Sequence, residues 1–346
     1  MTVNDQGKSR HQDVVQTVVE LFLHAGAEGW RVGIFPHERH DADAYGAAMS
    51  MAAVLESIGC ETVVILDTTL PPSLVDLPLL KEPLIPELGD LLPELDLALA
   101  VDCHEESRLG KRATYYIEAP RRAIIDHHLY EGELPPFSYI DDGAAATCEL
   151  CFVLIDAIGQ RIGRSLFTND IAILLLAGFV TDTGRYTYSN TTPRVMRQAA
   201  TLIERFSIDL PMLHYHLFDR TTLGLLQLRG SVFHNAQCLC DGRVITAYIK
   251  RETLERCGVQ DDNLANIASD LRSVEGIEVV LLHVETPAGI RLNVRAGKNF
   301  NAAEFARRYG GGGHARAAGA MIKNITLEEA IAMTHRDIAQ ALAPSE

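Results

Sequence analysis

What this chain lacks narrows its class before any motif is read. It has no disulfide framework: its seven cysteines are odd in number and scattered, unlike the paired cysteines of small stapled domains. It has no basic start leading into an apolar signal region, so secretion is not expected. No apolar run nears the roughly 20 residues of a membrane span; the longest, IAILLLAGFV at 171–180, suits a buried helix. Internal repeats and low-complexity tracts are missing too. Positive charge is also short. With 31 Lys+Arg against 46 Asp+Glu the net charge is −15, which argues against a groove for long nucleic acid, where affinity grows with the number of phosphates neutralised. The expectation is a soluble, cytoplasmic protein with no membrane partner.

What is present points to an enzyme-sized globular chain. At 346 residues it has room for two domains, and 47% hydrophobic residues supply their cores. The charge is uneven. Residues 1–239 hold 18 basic and 32 acidic residues, whereas 240–346 hold 13 and 14. Within the second part, 291–316 carries Arg291, Arg295, Lys298, Arg307, Arg308 and Arg316 against Glu304 alone. An acidic first part concentrates cations and a local basic stretch holds a small anion; ordinary solvated surface is the plainer reading of each. Cys148 and Cys151 form a C-x-x-C inside a helical pattern with no second pair to complete a zinc site, so they read as small buried core residues, as do Cys238 and Cys240.

The first half alternates strand-like runs (30–35, 61–67, 95–102, 122–126, 137–141) with helical patterns (43–59, 105–118, 144–159, 169–181). That alternation predicts an α/β fold, a mostly parallel N-terminal sheet flanked by helices. A proline-rich stretch, 69–94, reads as a long loop, a lid or a partner surface. A helix at 191–206 and a partly helical connector lead to a smaller C-terminal α/β domain: strands at 242–249 and in IEVVLLHVE and IRLNVRA, helices near 261–274, 301–309 and 327–342. The expected division is 1–215, a connector 216–240, and 241–346, the two domains facing each other across a cleft.

Open parallel sheets gather ligands at the carboxyl ends of their strands, and acids and histidines recur there. PHERHDAD follows the first strand with His37, His40, Asp41 and Asp43; Asp102 ends the third; Asp126, His127 and His128 end the fourth; Asp182 ends the long apolar helix. Each alone has an ordinary explanation, since an Asp before a helix usually caps it. Together, several close carboxylates repel unless cations hold them. A pair of divalent ions resolves the conflict, activating water and stabilising phosphoryl charge. Mixed carboxylate and imidazole donors favour Mn²⁺, with Mg²⁺, Co²⁺ and Zn²⁺ open. The residues therefore predict metal-dependent hydrolysis, of a phosphoester first.

These residues resemble the DHH phosphoesterase family. HERHDAD is similar to its H-x-x-x-D-x-D motif, VDC to the second, DHH to the third that names it, and GFVTDTGRYTYSNTTPRVM to the fourth; RRYGGGGHARAAG resembles the glycine-rich motif of the DHH-associated domain. The likeness runs over 14–340 and is greatest to the nanoRNase/pAp-phosphatase branch, which has a RecJ-like core. It implies that His37 and Asp41 hold one metal, that Asp43, His127 and Asp182 hold the other, and that Asp102 bridges both. His128 would face the substrate phosphate, with Asp126 orienting a neighbouring histidine. The adjacent histidines would then point apart, one to metal and one to phosphate. Arg295, Gly311, Gly312, Gly313 and His314 would bind substrate, the glycines through backbone N–H groups that approach an anion closely. His40 stands where the family often has proline, Ala47 where serine is common, and Asn293 and Ala296 flank Arg295 where the family has serines.

The implied activity is hydrolysis of short RNA or DNA oligonucleotides, of either polarity, or of 3′-phosphoadenosine 5′-phosphate (pAp) to AMP. Cleavage of linear or cyclic dinucleotides is the enzymatic alternative, and a nucleotide-binding regulator the non-enzymatic one. A homodimer is expected from the resemblance.

Overall fold

The apolar runs of the first half pair as a five-stranded parallel sheet of order β2-β1-β3-β4-β5. The computed structural model describes residues 3–87, 90, 92–130, 132–259 and 264–343. Positions 88, 89 and 91 of the proline-rich stretch, and 261–263 at the head of the helix expected there, lie outside them. Two compact units divide the chain, one through Arg220 and one from Thr221.

The first unit runs α1 (Val3–Ala27), β1 (Arg31–Pro36), α2 (Ala42–Ser57), β2 (Glu61–Val64), β3 (Leu97–Val101), a 3-10 stretch Glu106–Arg112, α3 (Ala113–Glu118), β4 (Arg122–Asp126), β5 (Phe137–Ile140), α4 (Thr147–Ile162), α5 (Asn169–Asp182), α6 (Pro193–Phe206), α7 (Leu210–His214) and a π turn Tyr215–Asp219. β3 shows why its strand reads as an unbroken apolar run. Leu97, Leu99 and Val101 join the large core that also takes in α2, α4 and α5, while Ala98 and Ala100 face a smaller core with Phe35, Leu109 and Tyr116. Both faces are dry, as in parallel sheets generally. Each Leu or Val so buried contributes about 1.5–3 kcal/mol. Because β2 and β3 flank β1 on opposite sides, the chain reverses direction across the sheet between β1 and β3, where such sheets bind their ligands.

Between β2 and β3 the long loop is tied down. Ile65 bridges to Leu84, Leu74 and Leu77 are buried, Lys81 pairs with Glu56 at 2.5 Å, and Arg220 pairs with Asp76 and donates to the Pro72 carbonyl at 2.8 Å. Among the described residues no helix is long and apolar enough to cross a membrane.

The second unit runs α8 (Leu223–Asn235), β6 (Gln237–Leu239), β7 (Val244–Ile249), α9 (Arg251–Cys257), α10 (Ala265–Arg272), β8 (Val279–Thr286), β9 (Gly289–Ala296), α11 (Ala302–Arg307), β10 (Gly312–His314), β11 (Ala317–Ile322) and α12 (Leu327–Ala341). Its mixed sheet has the order β10-β11-β9-β8-β7-β6. Strict alternation along β9 sends Ile290, Leu292, Val294 and Ala296 into a core with α11 and α12. α12 starts with a reciprocal cap between Thr326 and Glu329. The cysteine expectation holds for Cys148 and Cys151, which are buried, and fails for Cys238, which is exposed, and Cys240, which is half-buried. β6 is an edge strand, so little packs over it.

Candidate metal centre

The strand ends of the first unit converge as the sheet dictates. β1 delivers His37, β3 delivers Asp102 and β4 delivers Asp126, His127 and His128, while Asp41 and Asp43 open α2 and Asp182 closes α5. Asp102 takes the left-handed conformation (φ 59), which an Asp adopts at modest cost and which turns the chain sharply off β3. Its Oδ2 lies 3.2 Å from His37 Nε2 and its Oδ1 3.4 Å from His127 Nε2. Thr147, from the first turn of α4, donates its hydroxyl to Oδ1 at 2.8 Å.

Three overlapping donor sets result among the described residues. His37, Asp41 and Asp102 offer atoms all within 4.8 Å of one another, and so do Asp43, His127 and Asp182, while Asp102, His127 and His128 form a third set between them. His127 Nε2 is buried without an aligned hydrogen-bond acceptor, yet carboxylate oxygens of Asp182, Asp102 and Asp43 stand 3.2, 3.4 and 4.0 Å away. A buried imidazole nitrogen ringed by carboxylates is a donor set for a divalent cation.

The electrostatics record the same crowding. Burial, then the charges of Asp182 and Asp102, push the Asp43 carboxyl well up. Burial and the neighbouring Asp41 and Asp102 raise Asp182 to about 6, against the pull of His127. Burial lowers His127, but the surrounding carboxylates of Asp182, Asp43 and Asp102 outweigh it and lift the imidazole to about 10.

The capping roles fall differently from the simplest expectation. Asp41 caps α2, its Oδ1 accepting from the N–H of Asp43 (3.0 Å) and Ala44 (3.1 Å). Asp43 instead caps α4 from across the core. Ala146, the residue before α4, offers no side-chain cap, and Asp43 accepts from the N–H of Thr147 (2.6 Å) and Cys148 (2.8 Å). Asp182 sits at the end of its helix and caps no N-terminus.

Close packing of three helices places Asp43. At Gly178 of α5 an added methyl group would lie 2.4 Å from Asp43 Oδ1 and 2.5 Å from Cys148 Sγ. Gly178→Ala is therefore expected to destabilise the first unit by about 1–3 kcal/mol, as overpacking does. Thermal unfolding should show it, and calorimetric metal titration should show weaker binding. An unchanged melting temperature would contradict this packing.

The expectation that His127 and His128 point apart is corrected. Their ring centroids are 4.5 Å apart at 61°, and His128 Nδ1 lies 3.5 Å from Asp102 Oδ1, the atom His127 also approaches. β4 ends at Asp126, so both histidines lie beyond the pleat whose alternation would have separated them. His128 keeps 41% of its side chain exposed and faces solvent. Buried Asp126 accepts from His128 Nδ1 at 2.8 Å and its backbone N–H at 3.1 Å. It also bonds His104 Nδ1 at 2.5 Å, a residue the motifs did not select. Burial pushes the Asp126 carboxyl up, but the bonds from His128 and His104 prevail and hold it at about 2. The strand-end rule could have found His104, two residues past Asp102. Thr147 had no local signal, since only the folded core brings it to Asp102. His40, buried beside Asp67 at 3.3 Å, belongs to none of the donor sets.

In the second unit the glycine run is a hairpin strand rather than an open loop. Gly312, Gly313 and His314 pair with Gly319, Ala318 and Ala317. At Gly311 an added methyl would meet the Gly319 carbonyl at 2.1 Å, and at Gly313 (φ 136) the Ala317 carbonyl at 2.7 Å, so these glycines serve close backbone packing; Gly312 is exposed with open space before it. Register brings two substrate candidates to one face. His314 pairs with Ala317, and Ala317 with Arg295, so both side chains rise from the same side of the sheet, about 10 Å apart at the backbone. The next row on that face, Gly312–Gly319–Asn293, leaves the Asn293 amide nitrogen without a partner among the described residues. Burial lowers the Arg295 guanidinium from its ordinary value, and it donates to the neighbouring Val294 carbonyl at 3.2 Å.

Comparison with known proteins covers both units. The model of the DHH family, N-terminal domain, matches residues 31–179, and the DHHA1 domain model matches 241–341. The chain is 30% identical over 287 residues to the bifunctional oligoribonuclease and PAP phosphatase NrnA of Bacillus subtilis, covering 83% of this chain and 87% of that protein. It is also 30% identical over 303 residues to the Thermus thermophilus protein of the same name, covering 86% of each. The crystal structure of an exopolyphosphatase-related protein from Bacteroides fragilis shares the fold with a TM-score of 0.80 at 20% identity, covering 95% of this chain and 98% of that one.

Proposed function

Since the chain belongs to the DHH family and is a phosphoesterase of that family, we propose that it hydrolyses short oligonucleotides and pAp with two bound Mn²⁺ ions. DHH phosphoesterases depend on divalent metal, and the choice of Mn²⁺ rests on the mixed imidazole and carboxylate donors. The observation that carries the reading is the adjoining donor sets His37–Asp41–Asp102 and Asp43–His127–Asp182, linked through Asp102 and His127, which share the third set with His128. In this reading His37 and Asp41 would hold one ion and Asp43, His127 and Asp182 the second, with the Asp102 carboxylate available to either. When bound, the ions activate water and neutralise charge on the phosphoryl group.

The chain's own residues supply the rest. His128, anchored through Nδ1 by Asp126, presents its other nitrogen to the phosphoryl oxygens. Asp126 keeps that ring in one tautomer, as carboxylates do for catalytic histidines. Thr147 holds the Asp102 carboxylate in its orientation. In the second unit Arg295 forks onto a terminal phosphate, with His314 and the Gly312 backbone on the same face of the sheet. Few phosphate contacts suit a short substrate, and the net charge of −15 disfavours a long one.

The test is a hydrolysis panel in Mn²⁺, Mg²⁺ or EDTA on pAp, pApA, a cyclic dinucleotide, a five-mer RNA, a twenty-four-mer and pyrophosphate. Turnover of pAp, pApA and the five-mer, lost in EDTA, is the expected result. Rapid digestion of the twenty-four-mer, or turnover of the cyclic dinucleotide alone, would reject it. Arg295→Ala should raise KM for pAp about tenfold, with kcat changed far less, the pattern of lost uniform binding.

A further inference from the structure

His104 belongs to none of the donor sets, yet it is nearly buried and bonded to the acid that holds His128. It stands two residues after Asp102 on the segment that leaves β3, with 11% of its side chain exposed. Its Nδ1 lies 2.5 Å from Asp126 Oδ2, while His128 engages the other oxygen, Oδ1, through both its ring nitrogen at 2.8 Å and its backbone N–H at 3.1 Å. The Tyr130 ring packs edge-on against His104 with centroids 6.4 Å apart. The Asp126 side chain is fully buried, and among the described residues its hydrogen bonds go to these two histidines. A carboxylate held only through Oδ1 could still rotate about its Cβ–Cγ bond; a second donor on Oδ2 removes that freedom.

We propose that His104 is a positioning residue for the phosphoester reaction: through Nδ1 it locks the Asp126 carboxylate, and Asp126 in turn holds the His128 ring toward the substrate phosphate. The chain of contacts is His104–Asp126–His128, one imidazole aiming the other through a shared acid. This rests on the role of His128 proposed above. Neighbours that orient an active-site imidazole typically change activity 10–100-fold when removed, and residues acting through one another give non-additive losses.

The experiment compares His104→Ala, His104→Asn and His104→Gln, because asparagine places an amide N–H near the position of Nδ1 while glutamine places one nearer Nε2. With pAp and pApA in Mn²⁺, the alanine and glutamine variants should lose about 10–100-fold in kcat, and the asparagine variant should recover most of it. Mn²⁺ affinity and melting temperature should stay near wild type. In a His128→Ala background, His104→Ala should add less than about threefold, the signature of coupled residues. Recovery by glutamine instead of asparagine would overturn the proposal in favour of direct substrate contact. Full additivity with His128→Ala, or a loss that tracks Mn²⁺ affinity, would overturn it as well. A readout without substrate is ¹H–¹⁵N correlation of the histidine rings. The His128 Nδ1–H signal should be sharp in wild type and His104→Asn and broadened in His104→Ala; equal sharpness in all three would reject the lock. If wild type turns over neither nucleotide, the nucleotidase reading falls, and the ring spectra still decide the positioning role.

Discussion

Replacing Asp102 by asparagine should leave the fold intact and remove hydrolysis. Asparagine tolerates the left-handed backbone that Asp102 adopts, matches its volume, and still accepts the Thr147 hydroxyl. What it lacks is the negative charge between His37 Nε2 at 3.2 Å and His127 Nε2 at 3.4 Å; among the described residues it is the acid paired with both imidazoles. The expected loss in kcat on pAp is at least about 1,000-fold, roughly 4 kcal/mol of barrier. The variant's metal-free melting temperature should equal or exceed that of wild type, because one of the charges pushing Asp43 and Asp182 up is gone. Activity within tenfold of wild type would remove Asp102 from the centre of the mechanism. A collapse in melting temperature would mark it as structural instead.

The second large effect is that of the ion on stability, and it depends on pH. Metal-free, the first unit confines Asp43, Asp102 and Asp182 around one imidazole. A divalent ion at one hundred times its dissociation constant should stabilise the unit by about 2.7 kcal/mol. At about 2–4 °C per kcal/mol this raises the melting temperature by roughly 5–10 °C. His127 titrates near 10 without metal, so at neutral pH an ion must expel its proton. The Mn²⁺ dissociation constant should therefore tighten about tenfold per pH unit from 7 to 9. Below about 6, where Asp182 takes up a proton as well, affinity should fall more steeply. The sign is fixed: a raised imidazole and a raised carboxyl both favour protons over metal as pH falls. Calorimetric titration at several pH values measures it, and a pH-independent affinity would contradict the cluster as described.

How much of this was legible depended on where each piece of information lay. The five parallel strands could be read because strands covered on both faces are continuous apolar runs, LALAV above all. The metal-centre acids could be read because they sit within a residue or two of strand and helix ends. The β10–β11 hairpin could not. GGH and AAGAMI have poor strand propensity, and they are strands because β9 offers a complete edge, pairing from Arg295–Ala317 to Ile290–Ile322. The burial of Cys238 was misjudged for a related reason: an edge position is a property of the sheet and leaves no trace in QCL. The resemblance implies that the two histidines point apart, but the strand alternation that would separate their side chains stops at Asp126. Capping of α4 by Asp43 spans 104 residues of sequence, beyond any local pattern.

That long-range cap separates two kinds of failure inside a cell. Loss of the Asp102 charge yields a full complement of inert protein. Loss of Asp43 removes a donor and strips the opening turn of α4 of its acceptors together, and a buried helix end without partners raises the unfolded fraction on which proteases act. Two lesions in the same few ångströms would therefore be distinguishable on a blot before any assay, one by an undiminished band and the other by a faint one.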